Sequence, residues 1–553
     1  MQTTIPTPEE LEKELLKACG ISEKEKEAFL HPEYSIGDLF KFKDMKKAVE
    51  RIYMAVKNKE TIGIYADYDC DGIPGAVVLC DFFEKVGVVP VVYIPDRHDE
   101  GYGLSARGIE SLAQSGVTLM ITVDLGITGI AEVADANARG IDVIVTDHHA
   151  PIGTDTAEFP AAHAIIHPAK SVYRNAEPCG AAVAFYLVCA FLQTYGAACG
   201  VPTGWEKWLL DLVGFATLSD MVPLAGENRM LASYGLSVMR KTRRVGLQSL
   251  FLHNKLFASA ITEQDLTFTV APRLNAASRM DTPMLAFNLL RATDFAEAEA
   301  LVQKLESINS ERKTLVARIV KEANKHLEGR NVLPEIVVIG NPDWRPAVLG
   351  LVATKLSESY ARSFFVWGNG GDDMIKGSCR MIETHHAAYL MQALPEGMLL
   401  HAGGHQAAGG FAVAKEQIHF LEEALNGALG AQHNEKESEE TAEASVPPLP
   451  LPLVCVTERH LRTVRLFAPF GASNPQPEFL FENVTIASTK MFGKNKEHLE
   501  LTLRDATGSA TAFTFFASAD MCETCITGAT ISFIGTLEPG FRGGARIRIQ
   551  EIL

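Results

Sequence analysis

The amino-acid sequence predicts an α/β protein of several domains. At 553 residues the chain exceeds the length of about 250 to 300 residues at which one hydrophobic core stops growing. Short Val- and Ile-rich runs alternate with helical patterns in the amino-terminal part, a charged helical pattern without Pro or Gly fills residues 296–327, and evenly spaced strand patterns follow residue 453. We therefore expect a parallel-sheet domain joined by a long helix to a smaller α/β domain, followed by a carboxy-terminal β-barrel.

The first domain is predicted over residues 59–294, after an amino-terminal helical extension over residues 1–58. Strand patterns at 61–65, 88–95, 117–123 and 141–146 are separated by helical patterns such as 76–86 and 105–114. This alternation is typical of a mainly parallel sheet that is covered by helices on both faces. In such sheets ligands bind beyond the carboxyl ends of the strands.

Residues 295–330 are predicted to form the connecting helix, and residues 331–432 the smaller α/β domain. Strand patterns at 335–340 and 363–367 flank a helical pattern at 347–357. The segment Ala402-Gly403-Gly404-His405 is expected to be a glycine loop, because its glycines favour turns over regular structure.

The carboxy-terminal part begins with a predicted linker over residues 433–452, which is first acidic and then rich in proline. Strand patterns at 482–488, 498–504, 509–516 and 530–537 predict a small barrel of the oligonucleotide-binding (OB) type over residues 453–553. Three aromatic residues could stack on bases or could be core residues: Phe515, Phe516 and Phe541. Six basic residues could contact phosphates: Lys490, Lys494, Lys496, Arg542, Arg546 and Arg548.

The amino-acid composition limits the classes of molecule with which this chain can interact. The net charge of −17 argues against a protein that coats nucleic acid indiscriminately, but it leaves room for a focused basic groove. No apolar run reaches the roughly 18 residues of a membrane span, and the first residues lack the apolar stretch of a signal sequence. We therefore expect a cytoplasmic protein without a membrane partner.

Carboxylates and imidazoles follow four apolar runs, each of which is predicted to be a buried strand or helix. The segments are Asp67-Tyr68-Asp69-Cys70-Asp71-Gly72, Thr122-Val123-Asp124, Asp147-His148-His149 and Thr217-Leu218-Ser219-Asp220. Aspartate oxygens and neutral imidazole suit manganese, magnesium or zinc. Any single aspartate has the alternative role of a helix cap or turn residue, but the four segments together favour a site for two cations. Such a pair fits in-line phosphoryl displacement.

The motif Asp147-His148-His149, together with Asp67-x-Asp69-x-Asp71-Gly72, resembles the DHH phosphoesterase superfamily and within it the RecJ family of single-strand-specific 5'-to-3' exonucleases. The resemblance covers nearly the whole chain. Further matching segments lie at 100–104, 211–224, 272–279, 377–380 and 401–409. It implies a DHH catalytic domain at 59–294, a smaller α/β DHH-associated domain at 331–432 and an OB-like nucleic-acid-binding domain at 453–553.

The resemblance also implies roles for individual residues of the metal site. The expected ligands of two Mn²⁺ or Mg²⁺ ions are Asp67, Asp69, Asp124, His148 and Asp220, with Asp124 bridging both ions. Asp71 would either be a ligand, through water, or hold the loop. His149 would lie over the scissile phosphate as a charge stabiliser or proton donor, or would instead support an aspartate ligand.

Two further segments resemble the family's phosphate-binding elements. Arg273, Asn275 and Arg279 lie in a predicted polar loop after Pro272, and the planar fork of arginine suits phosphate oxygens. In the second domain the corresponding groups are Ser378, Arg380, His405 and the backbone amides of Gly403 and Gly404.

The chain departs from the family pattern at three positions. Ser278 stands where the family usually has Gly, Arg345 follows Trp344 where His is usual, and Met381 replaces a usual Ser. We expect these positions to face the substrate. Compared with the rest of the family, this chain should therefore differ more in its affinity for the strand or in the strand length it prefers than in its hydrolytic chemistry.

The sequence thus predicts a metal-dependent 5'-to-3' exonuclease that acts on single-stranded DNA in repair and recombination, with a helicase and a single-strand-binding protein as candidate suppliers of substrate. One alternative is a DHH phosphoesterase acting on short oligonucleotides or cyclic dinucleotides, but such relatives typically lack a barrel. Another is a non-catalytic DNA-binding replication scaffold. Loss of ligands would mark a scaffold, and every expected ligand is present.

Overall fold

A computed structural model describes residues 6–151, 158–371, 374–382, 384–404, 406–435, 447–493, 496–540 and 543–553. Three sheets organise this part of the chain, and each belongs to a different domain. Among the described residues, no helix combines the length and the apolar character needed to cross a membrane.

The sheet of the first domain is entirely parallel. Its strands are β1 (Ile62–Ala66), β2 (Val91–Tyr93), β3 (Leu119–Val123), β4 (Asp142–Thr146) and β5 (Ala164–Ile166), in the spatial order β2-β1-β3-β4-β5. The strands β1, β3 and β4 are apolar and almost wholly buried, as expected when helices cover both faces. The carboxyl ends of these three strands therefore lie side by side.

The helices of residues 6–294 surround this sheet or extend from it. They are α1 (Pro8–Ala18), α2 (Lys26–Leu30), α3 (Met45–Asn58), α4 (Gly72–Lys85), α5 (Ala106–Gln114), α6 (Ile130–Ala138), α7 (Gly180–Tyr195), α8 (Leu210–Ser219), α9 (Gly226–Met239), α10 (Val245–His253), α11 (Glu263–Asp265), α12 (Ala271–Met280) and α13 (Met284–Arg291). A π-helical turn, Leu266–Val270, joins α11 to α12. The helices before residue 59 serve two cores, because α3 packs on the first domain whereas leucines of α1 and α2 pack on the barrel.

The connecting helix α14 (Phe295–Leu327) leads into a mixed second sheet. Its strands are β6 (Ile336–Gly340), β7 (Ser363–Asn369), β8 (Met374–Arg380), β9 (His401–Gly404) and β10 (Ala408–Ala414), in the order β6-β7-β8-β10-β9. The helices are α15 (Leu349–Tyr360), α16 (Ala387–Gln392) and α17 (Ile418–Glu435). The expected glycine loop is wrong for residues 402–404, which form the edge strand β9 because they pair with β10.

The third sheet is a closed barrel. It contains β11 (Leu449–Pro450), β12 (Phe479–Phe492), β13 (His498–Arg504), β14 (Ser509–Thr514), β15 (Thr530–Pro539) and β16 (Ala545–Ile552), with α18 (Glu458–Arg465) and α19 (Ala519–Thr524) beside them. The pairing of β12 with β15 closes the sheet on itself, so the predicted fold class is confirmed. Alternating side chains of these strands fill the barrel core.

Arg229 of α9 joins the first domain to the barrel and to the amino-terminal segment. Its guanidinium is buried and donates hydrogen bonds to the carbonyl oxygens of Phe29, Phe467, Ala468 and Pro469 at 2.9, 2.9, 3.1 and 3.3 Å. Burial lowers the pKa of Arg229 to about 10. The barrel is thereby held against the end of the first domain where α8 and α9 meet.

Candidate functional site

The carboxyl edge of the first sheet collects the carboxylates and imidazoles that the sequence singled out. Asp67 follows β1, Asp124 follows β3, His148 follows β4, and Asp220 ends α8. Their ligand atoms form three compact groups, each with all atoms within 4.8 Å of one another: Asp67, Asp69 and Asp124; Asp71, His148 and Asp220; and Asp124, His148 and His149. The third group shares Asp124 with the first and His148 with the second, so the first two groups describe two adjoining sites.

Asp124 occupies the centre of the cluster in a strained backbone conformation. Its φ of 63° lies in the left-handed region, where aspartate is tolerated better than most side chains. Its N–H donates to the carbonyl oxygen of Thr146 at 3.0 Å, and its own carbonyl oxygen accepts from the Tyr102 hydroxyl at 3.2 Å. These bonds hold Oδ1 of Asp124 at 3.1 Å from Nε2 of His148.

Asp71 has a structural role and also faces the cluster. Its carboxylate oxygens accept hydrogen bonds from the N–H groups of Gly180 and Ala181 at 2.6 and 2.7 Å, which anchors the first turn of α7. The same carboxylate lies 3.7 Å from Nε2 of His148. Asp69 fixes the preceding turn, since its Oδ1 accepts from the N–H of Asp71 at 2.8 Å.

Gly180 permits a close approach that a larger residue would prevent. A Cβ atom at this position would lie 2.5 Å from Cβ and 2.6 Å from Oδ1 of Asp124. The amino terminus of α7 therefore packs directly on the central carboxylate. Gly180 was not among the residues predicted from the sequence, because nothing in the local pattern reports a contact with Asp124.

Asp147 is the main buried partner of His149, and the sequence analysis did not assign it a role. It is fully buried and accepts hydrogen bonds from the N–H groups of Ile127, His148 and His149 at 2.9, 2.7 and 3.1 Å. Its Oδ1 also lies 2.9 Å from Nδ1 of His149. Because an ionised carboxylate only accepts hydrogen bonds, Nδ1 of His149 carries the proton. The signal for this role was the position of Asp147 immediately before the two histidines.

The pair formed by Asp147 and His149 favours charge on both members. Burial alone would raise the pKa of Asp147, but the hydrogen bond and the charge of His149 lower it to about 2. Burial alone would lower the pKa of His149, but the hydrogen bond and the charge of Asp147 raise it to about 9. In the metal-free protein the pair thus favours the charged form of the His149 imidazole.

The other carboxylates of the cluster oppose one another. Burial and, after it, mutual repulsion raise the pKa values of Asp67, Asp124 and Asp220 well above the ordinary range, and raise that of Asp71 to about 6. Oδ1 of Asp67 is buried and has no hydrogen-bond partner among the residues that the structure describes. Divalent cations between these oxygens would neutralise the repulsion and supply the missing partner, so the donor set fits Mn²⁺ or Mg²⁺.

Comparison with known proteins identifies the family. Residues 61–217 match the family model described as the N-terminal domain of the DHH family, and residues 449–550 match the RecJ OB domain. The single-stranded-DNA-specific exonuclease RecJ of Dickeya dadantii (strain 3937) is 32% identical, over 78% of this chain and 77% of the relative. The chain belongs to the RecJ family of single-stranded-DNA-specific exonucleases. The RecJ protein of Bacillus subtilis (strain 168) is 33% identical over 92% of this chain, which spans 63% of that relative's length.

A solved RecJ structure agrees with the architecture described above. RecJ from Thermus thermophilus, crystallised in complex with Mn²⁺, superposes with a TM-score of 0.77 at 26% identity. The match covers 99% of this chain and 78% of the Thermus chain. The RecJ resemblance and the predicted order of sheet domain, helix, smaller domain and barrel are thereby confirmed.

The first group of candidate phosphate contacts lies on a helix, so the predicted polar loop is wrong. Arg273, Asn275 and Arg279 belong to α12, where Pro272 occupies the first turn, a position that proline tolerates. Arg273 pairs with Glu306 of α14 at 2.5 Å. Arg279 donates to the carbonyl oxygen of Ala347 in the second domain at 2.9 Å. Oδ1 of Asn275 is buried and lacks a hydrogen-bond partner within the described ranges.

Burial and nearby cations perturb Arg279. Burial lowers its pKa to about 9, and the charges of Arg97 and Arg312 act in the same direction. The guanidinium of Arg97 lies 4.8 Å from the ring centre of Tyr68. Tyr68 stands between Asp67 and Asp69 in the sequence, and both of these are candidate ligands. The sequence analysis missed Arg97, although it lies shortly after β2 at the carboxyl edge of the same sheet. A local excess of positive charge therefore borders the carboxylate cluster.

The second group of candidate phosphate contacts lies across three neighbouring strands of the second sheet. Ser378 of β8 pairs with Gly410 of β10, which pairs in turn with Gly403 of β9. Gly403 and Gly404 are exposed, and Arg380 donates to the hydroxyl of Thr354 at 3.2 Å. The sheet thus brings Ser378 and Gly403 into one row. His405 lies outside the described residues.

The three departures from the family pattern have different environments. Ser278 and Met381 are buried, so the expectation that they face the substrate is wrong for both. Arg345 lies between domains, with a guanidinium nitrogen 3.3 Å from Nε2 of His98 in the first domain. Of the three, Arg345 is the one placed to affect how the two domains enclose a strand.

The barrel exposes two of its predicted stacking residues. Phe516 is 77% exposed, and Phe515 is also exposed with its ring centre 5.1 Å from that of His498. The guanidinium of Arg548 lies 5.8 Å from the ring of Phe515. The interpretation of these two rings as core residues is therefore wrong. Three of the residues proposed for this surface lie outside the described part of the chain: Lys494, Phe541 and Arg542.

Proposed function

We propose that this chain is a metal-dependent exonuclease that hydrolyses single-stranded DNA from its 5' end. The observation that carries the proposal is the pair of adjoining ligand groups at the carboxyl edge of the first sheet, which meet where Asp124 of one lies 3.1 Å from His148 of the other. Membership of the RecJ family supports single-stranded DNA as the substrate, and the proposed 5'-to-3' direction rests on the resemblance of the motifs to that family.

Two cations would be divided between the two groups. Asp67, Asp69 and Asp124 would hold one, and Asp71, His148 and Asp220 the other, with Asp71 acting directly or through water. Bound Mn²⁺ or Mg²⁺ supplies a lowered pKa for the attacking water and neutralises the charge that develops on the phosphate. Asp124 is the proposed bridge because it belongs to the first group and its Oδ1 lies 3.1 Å from Nε2 of His148, a member of the second.

His149 has the properties of a proton donor or charge stabiliser. Asp147 fixes the Nδ1 proton and keeps the ring charged, so the other nitrogen can donate a hydrogen bond to a phosphate oxygen. The alternative, that His149 supports an aspartate ligand, has weaker support, because the nearest carboxylate is that of Asp147 rather than that of a proposed ligand.

The strand would lie between the domains and continue toward the barrel. Arg273, Asn275 and Arg279 from the first domain, with Ser378, Arg380, Gly403, Gly404 and His405 from the second, remain the proposed phosphate contacts. Arg279 fits this role best on its side of the cleft, because it lies at the contact between domains and near Asp69. Phe515 and Phe516, which the barrel exposes, would stack on bases, a contact that does not depend on the base sequence.

The alternatives have less support. A phosphoesterase for short oligonucleotides or cyclic dinucleotides has no need of the barrel, whereas residues 449–550 match the RecJ OB domain. A non-catalytic scaffold has no need to keep the complete set of ligand groups. We further propose a cytoplasmic role in DNA repair and recombination, with a helicase and a single-strand-binding protein presenting the substrate.

The direct test is the variant Asp124→Asn, because asparagine tolerates the positive φ of this position but coordinates cations poorly. With Mn²⁺ and single-stranded DNA labelled at either end, we expect the native protein to release the 5' label first and to leave a duplex intact. The variant should bind the strand and fail to cut it. Asp135→Asn, on the surface of α6, is the matched control. Near-normal turnover by Asp124→Asn would contradict the assignment, and cleavage of a dinucleotide alone would favour the short-substrate alternative.

A further inference from the structure

Arg312 is a buried arginine of the connecting helix α14 that lacks a partner. It is 9% exposed, and its Nε atom is buried without a hydrogen-bond partner among the residues that the structure describes. The other arginine that is buried in this part of the chain, Arg229, donates to four carbonyl oxygens. A buried cation without an acceptor is strongly unfavourable. A charge that the folded protein leaves unsatisfied in this way points to a ligand from outside the chain.

The sequence places Arg312 on the face of α14 that packs inward. Buried residues of this helix include Leu305, Ile308, Asn309, Arg312 and Val316, at the three- and four-residue spacing of one helix face. Asn309 lies one turn before Arg312, and its Oδ1 is also buried without a partner within the described ranges. Two adjacent polar side chains therefore interrupt an apolar stripe, and each has a buried polar atom that the protein does not satisfy.

Helix α12 packs across this part of α14. Arg273, near the start of α12, pairs with Glu306 at 2.5 Å, and Asp281, directly after its end, pairs with Lys304 at 3.0 Å. The two ion pairs tie both ends of α12 to the turns of α14 that precede Arg312. On α12 itself, Oδ1 of Asn275 is the buried atom without a partner. The two packed helices thus carry three polar side chains that await a ligand.

The charges that act on Arg312 are positive. Burial lowers the pKa of Arg312, and the charge of Arg273 lowers it further. Arg312 in turn lowers the pKa values of Arg279 and of Lys313, after burial and the charge of a second arginine. Glu306 acts in the opposite direction on Lys313, but this carboxylate is already bound to Arg273. An anion would therefore be attracted to this place and would supply the acceptor that Arg312 lacks.

We propose that Arg312, with Asn309 beside it, binds a backbone phosphate of the single strand, so that the connecting helix is itself part of the substrate site. The planar fork of arginine suits phosphate oxygens, and the amide of Asn309 can turn to present its NH2 group. A phosphate between Arg312 and Arg279 would also remove the repulsion between these two cations. The identity of the anion as a DNA strand rests on the proposed function. No residue of α14 was among the phosphate contacts predicted from the sequence.

A ligand-binding role for Arg312 predicts two effects that a structural role does not combine. A cation that is kept without a partner destabilises the free protein, so removal of its charge should leave the free protein at least as stable as before. The same change should weaken binding of the strand. An arginine that holds the fold together would instead lower the melting temperature when it is replaced.

The test compares Arg312→Gln with Arg318→Gln, which removes a charge from the exposed side of the same helix. Binding of a fluorescent oligothymidylate is measured by anisotropy in EDTA at several salt concentrations, so that no hydrolysis occurs. Arg312→Gln should bind on the order of ten- to 100-fold more weakly, because a charge-assisted hydrogen bond is lost. Its plot of log affinity against log salt concentration should be shallower by about 0.7, the slope of one phosphate contact on a single strand. Arg318→Gln should match the native protein in both measurements, and Arg312→Lys should keep the native slope.

A strand with one neutral methylphosphonate identifies the phosphate that is bound. As this group is moved along the strand, binding by the native protein should weaken at the position that Arg312 contacts. The same strand should cause no further loss in Arg312→Gln, because the two changes remove one interaction. Inorganic phosphate, added in EDTA, distinguishes a free anion from the strand. If it raises the melting temperature of the native protein alone, while both proteins bind the strand equally, the site takes free phosphate and the inference is overturned.

The remaining outcomes separate this inference from the proposed function. Equal affinity and equal salt slope for the native protein and Arg312→Gln would overturn the inference. A lower melting temperature of Arg312→Gln, or its failure to fold, would also overturn it, because Arg312 would then have a partner within the protein. Hydrolysis is measured separately in Mn²⁺. If the native protein shows the expected dependence on Arg312 but cuts nothing, the proposed function fails and the phosphate site remains.

Discussion

Gly180→Ala is expected to disable the metal centre without unfolding the protein. The added Cβ would lie 2.5 Å from Cβ of Asp124, whereas carbon atoms in contact are about 3.5 to 4.0 Å apart, so one of the two must move by about 1 Å. Asp124 is held by its backbone hydrogen bonds to Thr146 and Tyr102, and α7 is held by the carboxylate of Asp71. Crowding of this kind costs about 1 to 3 kcal/mol. A displacement of about 1 Å in a catalytic group reduces turnover on the order of 100-fold.

The assay measures kcat on single-stranded DNA, Mn²⁺ affinity by calorimetry and thermal unfolding in EDTA. Gly427→Ala is the matched control, because Gly427 lies inside α17 with no atom within 4 Å of the added Cβ. Alanine there should stabilise the protein by up to about 1 kcal/mol and leave kcat unchanged. If Gly180→Ala keeps native Mn²⁺ affinity and a rate within a few-fold of native, the contact with Asp124 is not a constraint on the centre and the reasoning is refuted.

Two further outcomes follow from the electrostatics of the cluster. Asp147→Asn removes the charge that raises the pKa of His149. We expect kcat/KM to fall on the order of ten- to 100-fold and the alkaline limb of the pH-rate profile to move to lower pH. An alkaline limb that does not move would contradict this role for the pair. In the metal-free protein, folding raises the pKa values of the carboxyl groups in the cluster. The stability that these groups contribute is therefore present below their ordinary pKa values, and it is lost as pH rises through their pKa values in the folded protein. For Asp71, a change from 3.8 to about 6 corresponds to about 3 kcal/mol. Thermal unfolding in EDTA should therefore shift to lower temperature as pH rises from about 4 to about 7, and saturating Mn²⁺ should remove most of this shift at the upper end of that range. Equal shifts with and without Mn²⁺ would count against a cation site.

Much of the candidate site could be predicted because it depends on where strands end. Asp67, Asp124 and His148 each follow a strand of one parallel sheet, and a parallel sheet brings its carboxyl ends to one edge. The π-helical turn and α12 could not be predicted in the same way, because Pro272 was interpreted as the boundary of a loop although it lies in the first turn of a helix. The strand β9 was missed because three of its four residues are small or glycine and its pairing partner lies in another segment.

Contacts between segments that are distant in the sequence could not be predicted from local sequence patterns. Gly180 is defined by its contact with Asp124, and Arg229 by carbonyl groups that lie 200 and 238 residues away along the chain. The packing of α1 on the barrel has the same character, since its leucines would fit any apolar surface. Each of these contacts depends on two surfaces that fit together only in the folded protein. The periodicity of apolar residues and the spacing of motifs along the sequence carry no information about such a fit.

The buried guanidinium of Arg229 also restricts how the barrel can be oriented on the first domain. A barrel docked in any other orientation would leave a buried cation without its carbonyl acceptors, a defect that costs several kcal/mol. Alternative orientations are therefore strongly disfavoured, and the interval between the barrel and the carboxylate cluster has one length. Under the proposed function, a strand bound at the barrel would therefore reach the carboxylate cluster across an interval of fixed length.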